Sequence, residues 1–243
     1  MSEAVQTDEA NLCAVIHGEP GVGKSTLAAT APGPVLVLDA EGGFRFIPGR
    51  KIRWDPTTQP VPEAGEWDYC IVSTTKWETV AAAYAVLQSG LHPFNSVVLD
   101  SLTEIQKRLV DNVSGVEQPT QQQWGQILRA MEDFVRKLRD MTFHPTHPLK
   151  AVVLLCLTHR KDDVFRPLVK GSLAMSLPAF MDVVGYLYVD NGADGGPERK
   201  LLIQPTVEYE AKDRTGVLTE TFGPVVPSPT LPMILDTIQT LFN

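Results

Sequence analysis

Eight residues near the start of the chain, Gly18-Glu-Pro-Gly-Val-Gly-Lys-Ser25, follow the pattern GxxxxGK[ST]. They come directly after the apolar run Leu12–His17, which predicts a buried strand, and they open a predicted helix over Lys24–Thr30. Glycines let successive backbone N–H groups turn inward around a phosphate, and the N-terminus of a helix adds partial positive charge. A strand, a glycine-rich turn and a helix in this order predict a phosphate-binding loop.

Within this phosphate loop, the lysine and the serine have different expected tasks. Lys24 would reach the β and γ oxygens of a nucleoside triphosphate, and Ser25 can bind Mg²⁺ through its hydroxyl. We therefore predict ATP and Mg²⁺ as cofactors. A glycine-rich turn that matches by chance is the alternative, which the flanking strand and helix disfavour. The predicted nucleotide-contacting residues are Gly18, Glu19, Pro20, Gly21, Val22, Gly23, Lys24, Ser25 and Thr26.

Composition is typical of a soluble globular protein. The chain has 243 residues, of which 43% are hydrophobic, and 21 Lys and Arg stand against 29 Asp and Glu, a net charge of −8. This acidic total argues against a protein whose whole surface binds nucleic acid, although it allows a local basic groove. From the length we expect one domain over residues 1–243, with a core over about 11–217 and a short C-terminal helix over 231–242.

The sequence offers no sign of a membrane or secretory protein. No apolar run approaches the ~20 residues that span a bilayer, and the first ten residues lack the order of a signal peptide. We therefore expect no membrane partner. Cys13, Cys70 and Cys156 form no CxxC pair and lie in apolar runs, so we predict buried, reduced thiols.

Short apolar runs alternate with helical patterns along most of the chain. Nearly continuous hydrophobic stretches of this kind suit parallel strands buried on both faces. The order predicts an α/β fold with a mainly parallel sheet flanked by helices. Further strands are predicted at Val35–Asp39, Tyr69–Ser73, Ser96–Asp100 and Ala151–Thr158, and helices at Thr75–Leu87, Leu102–Val110 and Gln121–Met141.

After Val183 the pattern changes to short strand-like pieces separated by turn residues. We expect these pieces to form an antiparallel extension of the sheet. They are Val183–Val189, Arg199–Gln204 and Thr206–Glu210, divided by the turn Asn191–Pro197 and by Pro205. Prolines predict loops at Asp55–Glu66 and Phe222–Thr230, and a last helix is predicted over Leu231–Phe242.

Two carboxylates follow predicted strands. Asp100 ends the run Ser96–Asp100, where it could hold Mg²⁺ across from the phosphate loop. Strands that end in Asp are common, but this one lies downstream of the loop and is followed by Ser101. We expect Val35–Asp39 to lie beside the phosphate-loop strand, so that Glu41 could polarise a water in line with the γ-phosphate. An acidic turn residue is the alternative for Glu41.

These segments resemble the RecA-like P-loop ATPases, and most of all their compact bacteriophage members, which include the single-strand-annealing recombinases of the Sak group. Asp39-Ala40-Glu41 matches the context in which that family's general-base glutamate follows the second core strand. The resemblance runs from Leu12 to Gly216 and includes the Trp124-Gly125 helix. It implies a RecA-like nucleotide-binding core and ATP hydrolysis.

The resemblance implies roles for two further segments. Ala151–His159 resembles the strand that ends in a polar sensor of the γ-phosphate, with His159 in that place; a histidine that caps a strand end is the open alternative. Lys212-Asp-Arg-Thr-Gly216 resembles the finger that ring-forming members supply to a neighbouring subunit's nucleotide. Lys212 and Arg214 would then act across the interface of a homo-oligomer. Without the resemblance, this segment is a solvated hairpin tip.

In the family, the segment after the sensor strand is a mobile DNA-binding loop. The corresponding residues here are 160–177, whose cations could neutralise phosphates and whose phenylalanine could stack on a base. An ordinary surface loop, with Pro167 and Gly171 as turn residues, is an equal alternative. The candidate DNA-binding residues are Arg160, Lys161, Phe165, Arg166 and Lys170.

Together these features predict a Mg²⁺-dependent ATPase of phage DNA recombination that binds single-stranded DNA and promotes annealing or strand pairing in the cytoplasm of an infected bacterial host. A phage single-strand-binding protein is a candidate partner. The alternatives are a nucleotide-gated DNA-binding or assembly module with little turnover, and a small-molecule kinase, which would need an acceptor pocket and an Arg-rich lid. The predicted catalytic residues are Lys24, Glu41, His159, Lys212 and Arg214, and the predicted metal ligands are Ser25 and Asp100.

Overall fold

The computed structural model describes residues 9–192 and 194–242, which form a sheet with helices on both faces. The start of the chain, where we expect no signal peptide, and Ala193 of the predicted turn lie outside the described residues. The strands are β1 (Leu12–Gly18), β2 (Val35–Asp39), β3 (Lys51–Arg53), β4 (Tyr69–Ser73), β5 (Ser96–Asp100), β6 (Ala151–Lys161), β7 (Val164–Pro167), β8 (Val183–Asn191), β9 (Pro197–Leu202), β10 (Lys212–Asp213) and β11 (Val225–Pro227). The helices are α1 (Lys24–Ala28), α2 (Trp77–Ser89), α3 (Leu102–Ser114), α4 (Gln121–Asp140), α5 (Leu173–Phe180), α6 (Val217–Phe222) and α7 (Leu231–Gln239), with 3-10 turns at Gly43–Phe46, Met141–Phe143 and Thr240–Phe242.

The strands lie in the order β11-β9-β8-β1-β6-β5-β2-β4-β3, while β10 pairs with β8 and β7 pairs with β6. Every neighbouring pair from β8 to β3 is parallel. The pairs that involve β7, β9, β10 and β11 are antiparallel. The predicted α/β fold, with a mainly parallel sheet and an antiparallel extension, is confirmed.

The expected position of β2 is wrong. We expected β2 to lie beside β1, but β6 and β5 lie between them, and β2 pairs with β5 and β4. Hydrophobic runs predict that a strand is buried on both faces, and they say nothing about which strands are its neighbours. All of these parallel strands still end at the same edge of the sheet, so their polar end residues lie along one line.

Strand side chains alternate between two separate cores. On one face, Val15, Leu99 and Leu154 pack with buried residues of α2, α3, α4 and α5. On the other face, Ile16 and Leu155 pack with α1, α6 and α7. The predicted helix Gln121–Met141 is present as α4, and its buried apolar residues lie in the first core. All three cysteines are buried and free, as predicted.

The C-terminal third differs most from the predictions. Thr206–Glu210 is a turn with one isolated bridge, between Tyr209 and Phe165, because the N–H of Thr206 bonds the carbonyl of Tyr209 and closes the chain on itself. The predicted loop Phe222–Thr230 contains the short strand β11. Four further elements in the C-terminal third and the region before it were not predicted: β7, α5, β10 and α6. None of the helices in the described ranges is long and apolar enough to cross a bilayer.

Candidate functional site

The phosphate loop joins β1 to α1 at the carboxyl edge of the sheet. Gly21 and Gly23 have φ angles of 82° and 96°, in the left-handed region that glycine adopts without a Cβ penalty. Gly23 is also the residue that precedes the first turn of α1. The strand, turn and helix predicted around Gly18–Ser25 are therefore present, although α1 ends at Ala28 rather than at Thr30.

The Lys24 side chain folds back onto the phosphate loop. Its Nζ donates hydrogen bonds of 2.9 Å to the carbonyl oxygens of Gly18 and Glu19. Burial lowers the pKa of Lys24, whereas the nearby carboxylates of Glu41 and Asp100 raise it. The loop thus holds an ammonium group at its centre with both partners supplied by its own backbone.

Ser25 and Asp100 are in direct contact. Ser25 Oγ donates a 2.7 Å hydrogen bond to Asp100 Oδ2. Asp100 is only 5% exposed. Burial, together with the Asp39 and Glu41 carboxylates, raises the pKa of its carboxyl to about 6, although the Ser25 hydroxyl and Lys24 oppose the rise. The site therefore contains a buried carboxylate whose charge is not fully compensated.

The space beside this pair is kept free by a glycine. A Cβ on Gly43 would lie 3.2 Å from Asp100 Oδ2 and 3.6 Å from Ser25 Oγ. Hydroxyl and carboxylate oxygens are ligands that suit Mg²⁺, which usually takes only one or two protein ligands beside phosphates and water. No group of three or more His, Cys, Asp or Glu in the described ranges could hold a metal ion by itself. The residues present therefore fit a cation shared with a nucleotide.

Glu41 follows β2, the strand that pairs with β5, and it therefore lies beside the end of β5. Ser101 Oγ donates a hydrogen bond to Glu41 Oε1, and the same hydroxyl accepts the N–H of Glu104 at the start of α3. The Gly42 N–H donates to Asp39 Oδ1 over 2.7 Å, which shapes the turn that carries Glu41. Ser101 directly follows Asp100, so the structure brings Glu41 and Asp100 together even though β2 is not beside β1.

His159 lies two residues beyond Leu157, the residue of β6 that pairs with Gly18. It therefore lies at the same edge as the phosphate loop. His159 Nδ1 is buried and has no hydrogen-bond partner in the described part of the chain. Arg166 pairs with His159 across the β6–β7 hairpin. Arg166 Nε and Glu210 Oε2 are also buried without a hydrogen-bond partner among the described residues.

The sequence interpretation missed His17, a fully buried residue next to the end of β1. Its Nε2 donates a 2.8 Å hydrogen bond to the carbonyl of Glu210, and its Nδ1 lies 3.2 Å from Thr158 Oγ1. Burial, opposed by the hydrogen bond to Glu210 and supported by the positive charge of Lys24, lowers the pKa of His17 to about 4. His17 is therefore neutral at pH 7. A polar residue in an otherwise apolar strand, directly before the loop, was the available signal.

Arg199 of β9 was also missed. Its Nε donates a 3.2 Å hydrogen bond to the carbonyl of Val22, and a Cβ added to Gly23 would lie only 2.2 Å from that nitrogen. The antiparallel hairpin of β8 and β9 thus places a cation against the outside of the phosphate loop. The sequence carried no signal for this contact, because it joins residues 177 positions apart.

Comparison with protein families matches residues 10–215 to a family described as an AAA domain. The chain belongs to this family. It is therefore a P-loop nucleotide-binding domain. No curated protein matches the sequence. Among solved structures, the AAA domain is similar to an ATPase from the type III secretion system of pathogenic bacteria, with a TM-score of 0.46 and 14% identity over 74% of this chain. The match covers 52% of that ATPase, so the AAA domain spans about half its length.

The AAA domain does not bring Lys212 and Arg214 to its own phosphate loop. β10 pairs Lys212 with Val184, and Val184 lies beside Val15, three residues or ~10 Å along β1 from Gly18. Lys212 Nζ donates to the carbonyls of Pro178 and Met181, and Arg214 forms a 2.9 Å ion pair with Asp182.

The segment is therefore not the solvated hairpin tip that was the alternative to a finger. It pairs with β8 and leads directly into α6, and Asp213 accepts hydrogen bonds from the backbone and hydroxyl of both Thr215 and Thr219. A pattern of charged residues beside a glycine predicted an exposed turn, whereas the backbone and carboxylate acceptors that fix these side chains come from elsewhere in the sequence.

The predicted DNA-binding loop of the AAA domain is largely ordered secondary structure. Residues 160–177 contain the end of β6, the strand β7 and most of α5. Arg160 forms a 3.1 Å ion pair with Asp163, and its guanidinium lies 5.6 Å from the centre of the Phe165 ring. Phe165 stacks on Tyr209 with 5.0 Å between ring centres.

The remaining cations of that segment are dispersed. Lys161 is exposed at the tip of the β6–β7 hairpin, and Arg166 lies half-buried near Glu210. Lys170 Nζ lies 5.7 Å from the centre of the Trp124 ring on α4. Arg160, Lys161 and Phe165 thus lie together, while Arg166 and Lys170 have other neighbours.

Proposed function

We propose that this AAA domain hydrolyses ATP in a Mg²⁺-dependent reaction. The observation that carries the proposal is a pair of hydrogen bonds: Ser25 of the phosphate loop donates to Asp100, and Ser101, which directly follows Asp100, donates to Glu41. Together they gather a lysine, a hydroxyl and two carboxylates beside one glycine-rich turn. This is the set of groups that phosphoryl transfer to water requires.

Nucleotide binding would begin with an exchange of partners at Lys24. Its ammonium group leaves the carbonyls of Gly18 and Glu19 and donates to phosphate oxygens, which carry more negative charge. Ser25 and Asp100 would hold Mg²⁺, and the cation would supply charge neutralisation for the phosphates. Desolvation of Asp100 supports this assignment, since a cation beside it removes the cost of its buried charge.

Glu41 is the residue that we assign to the attacking water. A carboxylate accepts a proton from water and fixes its orientation, and the Ser101 hydroxyl holds Glu41 in place for that task. His159 is assigned to contact with the γ-phosphate, because its buried Nδ1 lacks a protein partner in the described ranges. Its neighbour His17 is neutral and helps to position the strand end.

The test compares ATP binding with ATP turnover in two variants. Lys24→Ala should lose both, whereas Glu41→Gln should keep binding and lose turnover. Glu63→Gln, in the exposed Asp55–Glu66 loop, is the matched control and should behave as the parent protein. Turnover at the parent rate in Lys24→Ala or Glu41→Gln would contradict the proposal.

The same measurements separate the two alternatives. A nucleotide-gated assembly module would bind ATP through Lys24 yet show no turnover that depends on Glu41. A small-molecule kinase would release ADP only when an acceptor is present, and phosphate would appear on that acceptor. Free phosphate from ATP and water is the result that our proposal requires.

We also propose that the ATPase acts on single-stranded DNA, as a phage recombination protein in the cytoplasm of an infected host. The support is local: Arg160 and Lys161 are exposed beside the stacked rings of Phe165 and Tyr209. Cations with adjacent aromatic rings suit the phosphates and bases of a single strand. Asp162 and Asp163 lie between Lys161 and Phe165 in the sequence, and their charges reduce the local positive charge.

Assembly is the last part of the proposal. A homo-oligomer with ATP at its interfaces would let Lys212 and Arg214 act on a neighbour's nucleotide, and a phage single-strand-binding protein is the partner that we would test first. For Arg214 this role requires that its ion pair with Asp182 opens when subunits meet. Mass measurement with an ATP analogue and a single-stranded oligonucleotide tests assembly and DNA binding together.

A further inference from the structure

A cavity of about 410 Å³ lies at the carboxyl edge of the sheet, where β3 and β4 end and α2 begins. Arg53 lines it from the end of β3 and Ser73 from the end of β4, while Thr75, Lys76 and Thr79 line it around the start of α2. Its lining, as far as the described residues define it, contains no residue of the phosphate loop. The cavity is therefore separate from the site described above.

The two cations of this cavity are unpaired. Arg50, only three residues before Arg53, forms ion pairs with Glu66 and Asp68. By contrast, the side chains of Arg53 and Lys76 form no hydrogen bond, ion pair or ring contact with any residue that the structure describes. Two uncompensated positive charges at one cavity repel each other and attract an anion.

Hydroxyl groups add neutral donors beside the cations. Ser73, Thr75 and Thr79 line the cavity, and their hydroxyls have no hydrogen-bond partner within the described ranges. Arginine offers a planar fork of N–H donors, and lysine offers three more. A phosphate group has three terminal oxygens for these donors, whereas a carboxylate has two. A phosphate monoester also carries a charge of about −1.5 to −2 at pH 7, which balances two cations.

One carboxylate limits what else can enter the cavity. Asp55 lines it, and the N–H and hydroxyl of Thr57 both donate to Asp55 Oδ1, over 3.0 Å and 2.6 Å. These hydrogen bonds hold the pKa of Asp55 below its ordinary value, so Asp55 is ionised at pH 7. An ionised carboxylate repels a second phosphate and accepts hydrogen bonds from hydroxyl groups. The cavity volume falls within the ~300–1,000 Å³ typical of sites for small organic molecules.

We propose that this cavity binds a small phosphate monoester whose organic part carries hydroxyl groups, such as a sugar phosphate. Arg53 and Lys76 hold the phosphate, the neighbouring hydroxyls donate to its oxygens, and Asp55 accepts hydrogen bonds from the organic part. This binding site goes beyond the proposed ATP hydrolysis and does not depend on it.

The position of the cavity relates it to the proposed catalytic edge. Ser73 pairs in register with Asp39, and the Thr74 N–H donates to the Asp39 carbonyl over 3.0 Å. The Asp39 carboxylate in turn shapes the turn that carries Glu41. A bound phosphate ester would therefore lie one strand away from that turn.

Single-stranded DNA is the rival source of phosphate. Each phosphodiester of its backbone carries one negative charge, so a single phosphate would balance only half of the charge of Arg53 and Lys76. Asp55 would repel the next phosphate along the strand. These charges favour a free monoester, and the experiment distinguishes the two sources.

The experiment titrates ribose 5-phosphate into the protein and measures binding by calorimetry. Both the parent and Lys24→Ala are used, because the phosphate loop also attracts phosphate. We expect both to bind ribose 5-phosphate, and to bind ribose or inorganic phosphate at least about tenfold more weakly. Arg53→Gln combined with Lys76→Gln should weaken ribose 5-phosphate binding by about tenfold or more in both backgrounds. Arg129→Gln combined with Lys137→Gln removes the same charge from exposed cations of α4 and should stay within about twofold of the parent.

Other results overturn the inference. Loss of ribose 5-phosphate binding in Lys24→Ala alone would place the phosphate in the loop, and equal losses in the two double variants would reduce the effect to net charge. Inorganic phosphate that binds as tightly as ribose 5-phosphate would remove the organic part from the cavity. Displacement of ribose 5-phosphate by a single-stranded oligonucleotide would assign the cavity to DNA. Thermal unfolding of each variant near the parent temperature excludes misfolding as the cause of a loss.

The inference and the proposed function fail in different ways. Absence of ATP turnover contradicts the proposed hydrolysis but leaves ribose 5-phosphate binding to Lys24→Ala unaffected. Absence of ribose 5-phosphate binding in both the parent and Lys24→Ala overturns the inference but leaves ATP turnover unaffected.

Discussion

Asp39 and Asp100 lie opposite each other, in register, at the carboxyl ends of the adjacent parallel strands β2 and β5. Their hydrogen bonds point to different tasks. Asp39 accepts the backbone N–H of Gly42 and shapes the turn to Glu41, whereas Asp100 accepts the hydroxyl of Ser25. The Asp39 charge also adds to the burial that raises the pKa of Asp100. One pair of strand ends thus connects the turn of the proposed base to the phosphate loop.

We expect Asp100→Asn to stabilise the nucleotide-free protein at pH 8. The folded-state pKa of about 6 lies above the ordinary value of 3.8, so the ionised carboxylate destabilises the folded state above pH 6 and the penalty disappears as the pH falls towards 4. A shift of this size corresponds to at most about 3 kcal/mol. Urea unfolding at pH 8 and at pH 4.5 measures the difference between variant and parent.

The control for this prediction is Asp190→Asn. The Asn191 N–H and Lys200 lower the pKa of Asp190, so removal of its charge should give no gain at pH 8. An equal advantage of Asp100→Asn at both pH values would show that the carboxylate charge is not the cause.

Asp100→Asn should also change the response to Mg²⁺. An amide keeps an oxygen for Ser25 but loses the charge that attracts a cation, so the Mg²⁺ concentration for half-maximal ATP binding should rise, by about tenfold or more. Metal-free nucleotide binding should change much less. Identical Mg²⁺ titrations for variant and parent would remove Asp100 from the metal site.

Gly23→Ala should abolish tight nucleotide binding. The φ of 96° is unfavourable for alanine, and the new methyl group would overlap Arg199 Nε. Such strain costs on the order of 1–3 kcal/mol and falls on the loop that must fit the phosphates. Adding Arg199→Ala removes the overlap but leaves the φ strain, so the double variant should recover only part of the affinity. Gly125→Ala, within α4 and with open space around it, is the control, and calorimetry with ATP is the measurement.

Arg214→Ala separates a structural role from a role in trans. Loss of the ion pair with Asp182 predicts a lower unfolding temperature with unchanged turnover of the folded protein. A finger that reaches a neighbour's nucleotide predicts lost turnover with retained ATP binding, and partial recovery on mixing with Lys24→Ala. Turnover assays on the separate and mixed proteins, with mass measurement of the mixed assemblies, distinguish the two results.

Replacement of Arg160 and Lys161 by alanine should weaken single-stranded DNA binding. The slope of log affinity against log salt concentration should also become shallower, by the equivalent of about one to two phosphate contacts. Arg166 is left intact because it lies half-buried near Glu210. The control replaces two cations elsewhere by alanine, namely Lys107 on α3 and Lys137 on α4. Equal salt slopes for both double variants, by fluorescence anisotropy, would place DNA elsewhere.

Residues close together in the sequence were predictable, and contacts across the sheet were not. The phosphate loop is one continuous segment, and Asp100 ends a strand whose apolar pattern is plain, so both could be recognised locally. Three features depend on strand order: the contact of Arg199 with Val22, the separation of β2 from β1 by β6 and β5, and the hydrogen bond of Lys212 to Pro178. Thr206–Glu210 has the alternation of a strand, yet Val207 is exposed and Pro205 precedes a turn that closes on Thr206.

The two carbonyl bonds of Lys24 make nucleotide entry a competition rather than a simple addition. Any incoming anion must replace the carbonyl acceptors of Gly18 and Glu19, which already belong to the loop and so lose no translational entropy when they bind Lys24. An isolated orthophosphate offers only one small cluster of oxygens for that exchange, while a chain of phosphates offers several at once along the loop. Discrimination between a polyphosphate and free phosphate therefore starts with the resting position of one side chain.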